Sequence, residues 1–399
     1  MEPFIHLHVH TQYSLLDGQA SIDALIDKAQ KDGMNAIAVT DHGNMFGIKE
    51  FFNKVSKKNG KPLGAIKDLE KEQKALKGKE ALSTEEQVRL QEIPPLIEAE
   101  KKKIFKPIIG CECYCARNGR HNKTAKEDRS GYHLIILAKN LKGYKNLIKM
   151  VSISWTEGFY GRPRIDHELL EKYHEDLIVC SACLGGEIPQ HIMHDRIDKA
   201  EESILWFKKL FGEDYYLEMQ RHETHDPNAD CTTYPKQQEV NKVLIELARK
   251  HNVKLIATND VHFVNQEDAE AHDRLICLST GKDLDDPTRM RYSKQEWMKT
   301  TAEMNAIFAD IPEALSNTLE IADKVDFYSI DSGPIMPTFA IPEDFGTEES
   351  YREKFSEQDL FEEFTRDENG NVVLSEEDAK DKIKKLGGYD KLYRIKLEA

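Results

Sequence analysis

Short apolar runs punctuate the first two thirds of the chain: FIHLHVH, NAIAVTDH, KPIIGCECYC, HLIILAK, DLIVCSA, YYLEMQ and VKLIATNDVHF. Each has strand length and is bounded by polar or turn-forming residues. Between most of them lie stretches with helical period, such as SIDALIDKAQKDG after the first and VNKVLIELARKHN before the last. This alternation over residues 1–285 predicts repeated βα units around a parallel sheet or barrel. His, Asp, Glu and Cys cluster at or just beyond the ends of several runs, the rim where barrel enzymes carry their chemistry, and this favours a closed α/β barrel.

Two segments break the pattern. From about Lys57 to Lys103 the chain is dominated by Lys, Glu, Leu and Ala, with a helix start at STEE, and it predicts a helical hairpin inserted on the surface. A charge-rich insert of this kind is ordinarily a solvated face. After about Asp286 the strand–helix alternation stops, so residues 286–399 read as a second, smaller mixed α+β region. There TAEMNAIFADIPEALSNTLEIADKV is helical in pattern, SGPIMPTFAIPEDF is Pro-punctuated and extended, and a polar DENGN turn precedes more helix. The chain ends inside a helical pattern, DKLYRIKLEA, without a C-cap signal, as expected of a segment cut from something longer.

Composition narrows the class. No apolar run approaches the roughly 20 residues needed to span a bilayer, and no signal peptide opens the chain. Seven cysteines without a disulfide spacing suit a reducing cytoplasm. The net charge of −15 argues at first against nucleic acid. Its distribution weakens that objection: the stretch from Asp286 onward carries 26 acidic and 15 basic residues, leaving a balance of −4 for the first 285.

The candidate chemistry begins with FIHLHVHTQYSLLDG, where His6, His8 and His10 alternate and Asp17 follows. Alternate strand residues share a face, so these imidazoles can meet in one site. Asp41 and His42 of TDHGN, Glu112 of GCECY, His133 of SGYHL, Cys183 of SACLGGE, and Asp260 and His262 of TNDVHF sit at further strand ends. Singly, such a residue is more often a hydrogen-bonding group than a ligand, so the case rests on the combination. Imidazole with carboxylate suits Zn²⁺, Mn²⁺ or Fe²⁺. So many ligands imply two or three divalent ions, with Glu112 or Asp260 able to bridge them, the apparatus of phosphoester hydrolysis.

HLHVHTQYSLLDG, AVTDHGNMFG, KPIIGCECY, SACLGGE and TNDVHF together resemble the PHP (polymerase and histidinol phosphatase) domain carried by the alpha subunits of bacterial DNA polymerase III. The resemblance implies a distorted (βα)7 barrel of the PHP type with the helical insert, followed by a region leading into the polymerase palm. Carried over position by position, it implies a metal set of His8, His10, Asp17, His42, Glu112, His133, Cys183, Asp260 and His262. It also implies 3′–5′ exonuclease activity on a DNA primer end, with a sliding clamp and a separate proofreading subunit as replisome partners. The paired palm aspartates would lie beyond Ala399. The Lys57–Lys103 insert departs from the family, which usually has a short link there.

The remaining candidates carry simpler readings. His6 packs or hydrogen-bonds deeper in the barrel, and Asp41 orients a ligand histidine rather than binding metal. Cys111, Cys113 and Cys115 form a buried face of small residues rather than a zinc site. His222 and His225 read as polar loop residues, and Arg162 and Arg164 of GFYGRPRID as either a phosphate clamp or an ordinary surface loop. Two other functions compete with the exonuclease: a small-molecule phosphatase, and a structural module whose metal stabilises the fold and docks a separate exonuclease.

Overall fold

In the computed structural model, which describes residues 1–79, 81–336, 346–367 and 369–398, the apolar runs build a curled mixed sheet. Its strands are β1 (Ala36–Val39), β2 (Lys106–Cys115), β3 (Tyr132–Ala138), β4 (Arg164–Ile165), β5 (Leu177–Cys180), β6 (Tyr215–Met219) and β7 (Lys254–Ala257). The spatial order is β1-β2-β3-β5-β6-β7, with β4 paired to β2. β1, β5 and β6 are buried along their whole length. Helices on one side and the barrel interior on the other cover both faces, so these strands read as continuous apolar runs. The arrangement is the barrel-like α/β fold expected from the alternation.

Three details differ from the sequence reading. The first run, Phe4–His10, is extended but joins no regular ladder. It lies between the sheet edges, where the Ala38 and Thr40 amides donate to the His6 and Val9 carbonyls. On its other side the His10 amide donates to Val261 O at 2.7 Å and the Val261 amide to His8 O at 3.1 Å, closing the sheet at this point. β3 runs antiparallel to both β2 and β5. The link from β2 to β3 contains only a short 3-10 turn, Lys126–Arg129, and without a crossover helix the chain must return antiparallel. The two-residue β4 went unread because so short a run has no periodicity.

The helices of this unit are α1 (Ile22–Lys31), α2 (Ile48–Lys58), α3 (Gly60–Lys77), α4 (Thr84–Lys101), α5 (Leu141–Thr156), α6 (His167–Tyr173), α7 (Glu187–Met193), α8 (Ile197–Phe211), α9 (Thr233–His251), α10 (Ala269–Thr280), α11 (Thr301–Ile307) and α12 (Glu313–Lys324). α3 and α4 form the inserted hairpin, with a small apolar core of their own around Ile66, Leu76, Ile93 and Ile97. Ser83 and Glu86 of STEE close a capping box on α4. The hairpin's base is held by buried Asn59, whose amide donates to Phe105 O at 2.7 Å and whose carbonyl accepts from Phe105 N at 2.9 Å.

The first compact unit runs Met1–Ile330, past the sequence boundary at 285. The reason is α12, which packs on β7: Asn317 donates to Leu255 O at 2.8 Å, Thr318 Oγ1 accepts from the Ile5 amide at 2.9 Å, and Glu320 accepts from the Tyr216 hydroxyl at 2.8 Å. The second unit, Asp331–Ala399, contains α13 (Glu348–Lys354), α14 (Glu357–Thr365), α15 (Glu376–Leu386) and α16 (Tyr389–Glu398). They share a core of Leu360, Ile383, Leu392 and Tyr393. In the DENGN stretch the Asp367 amide donates to Asn371 O, closing a turn. Most of the extended SGPIMPTFAIPEDF reading falls on 337–345, outside the described residues. All seven cysteines are free thiols. Among the described residues no helix is long and apolar enough to cross a membrane.

Candidate metal centre

Every candidate ligand position reaches one rim of the curled sheet. His8 and His10 come from the extended opening segment, Asp17 from the turn after it, His42 from the end of β1, Glu112 from β2 and His133 from β3. Cys183 follows β5, and Asp260 and His262 follow β7. Leu16, Ala182 and Asp260 have positive φ, of 60°, 61° and 47°. For residues with a Cβ this conformation is costly and concentrates where the surrounding structure imposes a geometry. Here it aims Asp17, Cys183 and Asp260 inward. Gly185 serves the same site by size: a Cβ there would sit 2.9 Å from the His133 ring.

The ligand atoms crowd together. His8 Nε2 lies 3.2 Å from His10 Nε2, 3.0 Å from Asp260 Oδ1 and 3.5 Å from Glu112 Oε1. His10 Nε2 is 3.2 Å from both Glu112 Oε2 and Asp260 Oδ1. Glu112 Oε1 meets His133 Nδ1 at 2.7 Å, and Cys183 Sγ stands 3.5 Å from that same nitrogen. His42 spans 3.0 Å to Asp17 Oδ2 and 2.6 Å to Glu112 Oε2, while His262 Nε2 is 3.8 Å from Asp17 Oδ1. Three triads have donor atoms all within 4.8 Å of one another: His10, His42 and His262; His8, His10 and Glu112; Glu112, His133 and Cys183.

Several of these atoms are buried without a hydrogen-bond partner, among them Glu112 Oε2, Asp260 Oδ1, His42 Nδ1 and His262 Nε2. His42 Nδ1 and Glu112 Oε2 are close yet share no hydrogen bond. Buried acceptors left unpaired are costly, and convergence of imidazole nitrogen with carboxylate oxygen is the donor set of a transition-metal or zinc site. The residues present therefore fit divalent ions.

A surrounding layer holds the ligands in place. Glu218 Oε1 lies 2.7 Å from His8 Nδ1, and it also accepts from Thr258 Oγ1 at 2.5 Å and Gln220 Nε2 at 3.2 Å. His10 Nδ1 is 2.9 Å from Ser14 Oγ, which donates to Asp41 Oδ1 at 2.7 Å. Asp41 thus reaches His10 through Ser14, in the orienting position expected for it. The Tyr292 hydroxyl donates to Asp17 Oδ1 at 2.8 Å. Glu218 and Tyr292 escaped the sequence reading. Glu218 had a signal, as the one acidic residue of YYLEMQ; Tyr292 had none.

Electrostatics follow from burial and crowding. Burial opposes charge on His8, but Asp260, Glu218 and Glu112 outweigh it and hold its pKa well above the usual histidine range. His42 is raised in the same way, chiefly by Glu112 against burial. His262, buried and facing His10, is pushed down to about 3. Burial disfavours ionised Glu112 and Asp260, yet the imidazoles around them hold both carboxyls well below the ordinary range. Burial pushes the Cys183 thiol up.

The other sequence candidates separate cleanly. His6 is fully buried with Nε2 2.8 Å from Lys299 O, away from the ligands. Cys111, Cys113 and Cys115 are buried in the apolar core. His222 is buried and lines the cleft over the site, with Nε2 3.2 Å from Asn259 O, whereas His225 is exposed. Arg164 is no phosphate clamp: it is buried, and its guanidinium donates to the carbonyls of Gly158, Asn122, Asp128 and Arg120. Arg162 is exposed, over the Tyr114 ring at 5.7 Å. The cleft, about 240 Å³, is bordered by His42, His133, Cys183, Asp260 and His262.

Comparison with known proteins agrees with this picture. A family model described as the PHP domain matches residues 6–222, more than half of the chain. The DNA polymerase III subunit alpha of Borreliella burgdorferi is 43% identical over 362 residues, covering 90% of this chain and 27% of that protein. The subunits of the same name from Treponema pallidum and Thermus aquaticus are 34% and 36% identical, over 94% and 85% of this chain. The chain spans about a quarter of the length of these curated relatives. The matched range includes the positions from His8 to Cys183 that converge at the rim, and the chain belongs to the PHP domain family.

Proposed function

We propose that this chain is part of a DNA polymerase III alpha subunit acting in DNA replication in the cytoplasm, and that its PHP unit is a metal-dependent 3′–5′ exonuclease that trims the primer end. Residues 1–285 carry that chemistry, and the region from 286 onward leads toward the polymerase palm. The observation that carries the reading is the set of buried atoms beneath an open cleft that make no hydrogen bond, Glu112 Oε2, Asp260 Oδ1, His42 Nδ1 and His262 Nε2, each in close range of an oppositely charged or metal-ligating neighbour.

His8, His10, Asp17, His42, Glu112, His133, Cys183, Asp260 and His262 would hold two or three divalent ions, Zn²⁺, Mn²⁺ or Fe²⁺. His10 and Glu112 each belong to two of the three donor triads, and Glu112, as a carboxylate with two oxygens, would be able to serve two ions. Ions bound there supply an activated water and positive charge beside the phosphate oxygens. The chain's own part is to fix the donors: Glu218 holds His8 through Nδ1, Ser14 and Asp41 hold His10, and Tyr292 holds Asp17. DNA enters as an anionic strand along the open side. A sliding clamp and a separate proofreading subunit are the partners this role calls for. The deep burial of His8, His10 and Glu112 favours a second role, in which the ions also brace the fold.

The test compares a 3′-labelled single-stranded or mismatched oligonucleotide with a small phosphomonoester at equal Mn²⁺ or Zn²⁺. Expected is metal-dependent release of mononucleotides that falls as ionic strength rises and disappears in Asp260→Asn and His10→Ala. Faster turnover of the monoester, or nuclease activity surviving both substitutions, would overturn the reading.

A further inference from the structure

Beside the metal centre lies a second cleft of about 230 Å³ that shares Asp17 and His42 with it and has an aromatic wall. Phe46, Trp155 and Phe159 are 58%, 43% and 45% exposed. Scattered exposed apolar residues are ordinary, but these three are gathered. Trp155 and Phe159 are stacked, with ring centroids 5.5 Å apart and planes at 17°, and Phe46 is 6.3 Å from Trp155.

The wall is also rigidly tied to the ligand-bearing loop. The Trp155 indole N–H donates to Gly43 O at 2.8 Å, directly after His42. Asn44 links the same loop to Phe46, donating to His42 O at 3.0 Å and accepting from the Phe46 amide at 3.1 Å. Gly43 itself, at φ +60°, admits no side chain, since a Cβ would meet Pro163 at 2.7 Å and Tyr114 at 3.2 Å. The exposed guanidinium of Arg162 borders the cleft and lies over Tyr114, whose ring stacks on His42 at 6.0 Å.

We infer that the Trp155–Phe159 stack, with Phe46, is a platform for unpaired bases at the 3′ end of a DNA strand, and that Arg162 meets a backbone phosphate of that strand. Stacked, exposed rings beside a cation are how single strands are held without sequence readout, because every base offers a π-face. A planar guanidinium suits phosphate oxygens. Continuity with Asp17 and His42 makes a base on this wall an immediate neighbour of a phosphodiester at the metal centre. A terminus that has lost its pairing partner can reach the platform, whereas a paired base keeps its faces within the duplex. The platform thus favours frayed or mismatched ends.

The identity of the strand rests on the exonuclease reading, and the experiment separates the two. Fluorescence anisotropy of the 399-residue chain is followed with a 5′-labelled phosphorothioate oligothymidylate in Mn²⁺, and with the same strand abasic at its three 3′ positions. Trp155→Ala and Phe159→Ala are each expected to weaken binding of the normal strand about 5- to 150-fold, the range for losing one stacked base. The abasic strand should bind the unmodified protein comparably weakly. Trp155→Phe, which keeps a ring but loses the bond to Gly43, should retain most of the binding. Equal binding of normal and abasic strands, unchanged binding by both alanine variants, or no binding of either strand overturns the platform. Base-dependent binding, with no Mn²⁺-dependent mononucleotide release from the same strand made with ordinary phosphodiesters, would leave the platform standing and defeat the exonuclease reading.

Discussion

Glu218 Oε1 stands 2.7 Å from His8 Nδ1 at the floor of the site, leaving His8 Nε2 to face Asp260, His10 and Glu112. A carboxylate behind a ligand histidine fixes its tautomer and ring orientation and raises its basicity. Glu218→Gln keeps the shape and the contacts to Thr258 and Gln220 but removes the charge. Metal affinity, read by chelator competition and metal analysis, should fall roughly 10- to 100-fold, with the far-ultraviolet dichroism unchanged. Unchanged affinity would show that Glu218 braces the barrel without tuning the ligand.

An ion held by residues as far apart as His8 and His262 would join those segments only in the folded chain. Saturation at a free metal concentration 100 times Kd should therefore add about 2.7 kcal/mol of stability. Removing metal with a strong chelator should lower Tm, and restoring Mn²⁺ or Zn²⁺ should recover it. A Tm indifferent to chelation, with less than one ion per chain by elemental analysis, would contradict metal binding here.

Asn59 is the clasp at the base of the inserted hairpin, pairing both backbone groups of Phe105 in a buried position. Asn59→Ala leaves a buried amide and carbonyl without partners, a loss of about 1–3 kcal/mol. Urea unfolding should show that decrease. Hydrogen exchange should speed up in α3 and α4 ahead of the sheet strands. Wild-type stability in the variant would mean that water replaces the amide at that position.

Lys299 is buried, its ammonium donating to Gln295 O and lying 3.6 Å from the centroid of the Trp297 ring. Burial pulls its pKa down to about 7 from the ordinary 10.5, only partly opposed by Glu296. Between those values the unfolded chain binds more protons than the folded one, so this residue makes stability rise with pH, by up to about 1.4 kcal/mol per pH unit. Below pH 7 the lysine is charged in both states and its burial is a constant cost. The stability of Lys299→Met relative to wild type should accordingly be greatest at and below pH 7 and decline as pH approaches 10.5. A difference flat across that range would place the titration elsewhere.

The sequence carried the parts of this protein that depend on local pattern. Apolar runs buried on both faces, such as AIAV and LIVC, announce fully buried strands. The capping box at STEE announces a helix, and strand-end histidines and carboxylates announce a rim able to gather metal ligands. Direction and depth were decided in three dimensions. β3 is antiparallel because its connection from β2 lacks a crossover helix. The opening run closes the sheet without forming a ladder because it lies between β1 and the segment around Val261. α12 belongs with the barrel because its polar side chains find partners on β6, β7 and the first run. Arg164, open in the sequence to a phosphate clamp or a surface loop, holds four carbonyls inside the core, and Glu218, which no motif singled out, lies behind His8. The physical reason is common to all of these. Periodicity reports which side of an element is buried, but which groups meet there depends on contacts between residues hundreds of positions apart, and these exist only once the chain has folded.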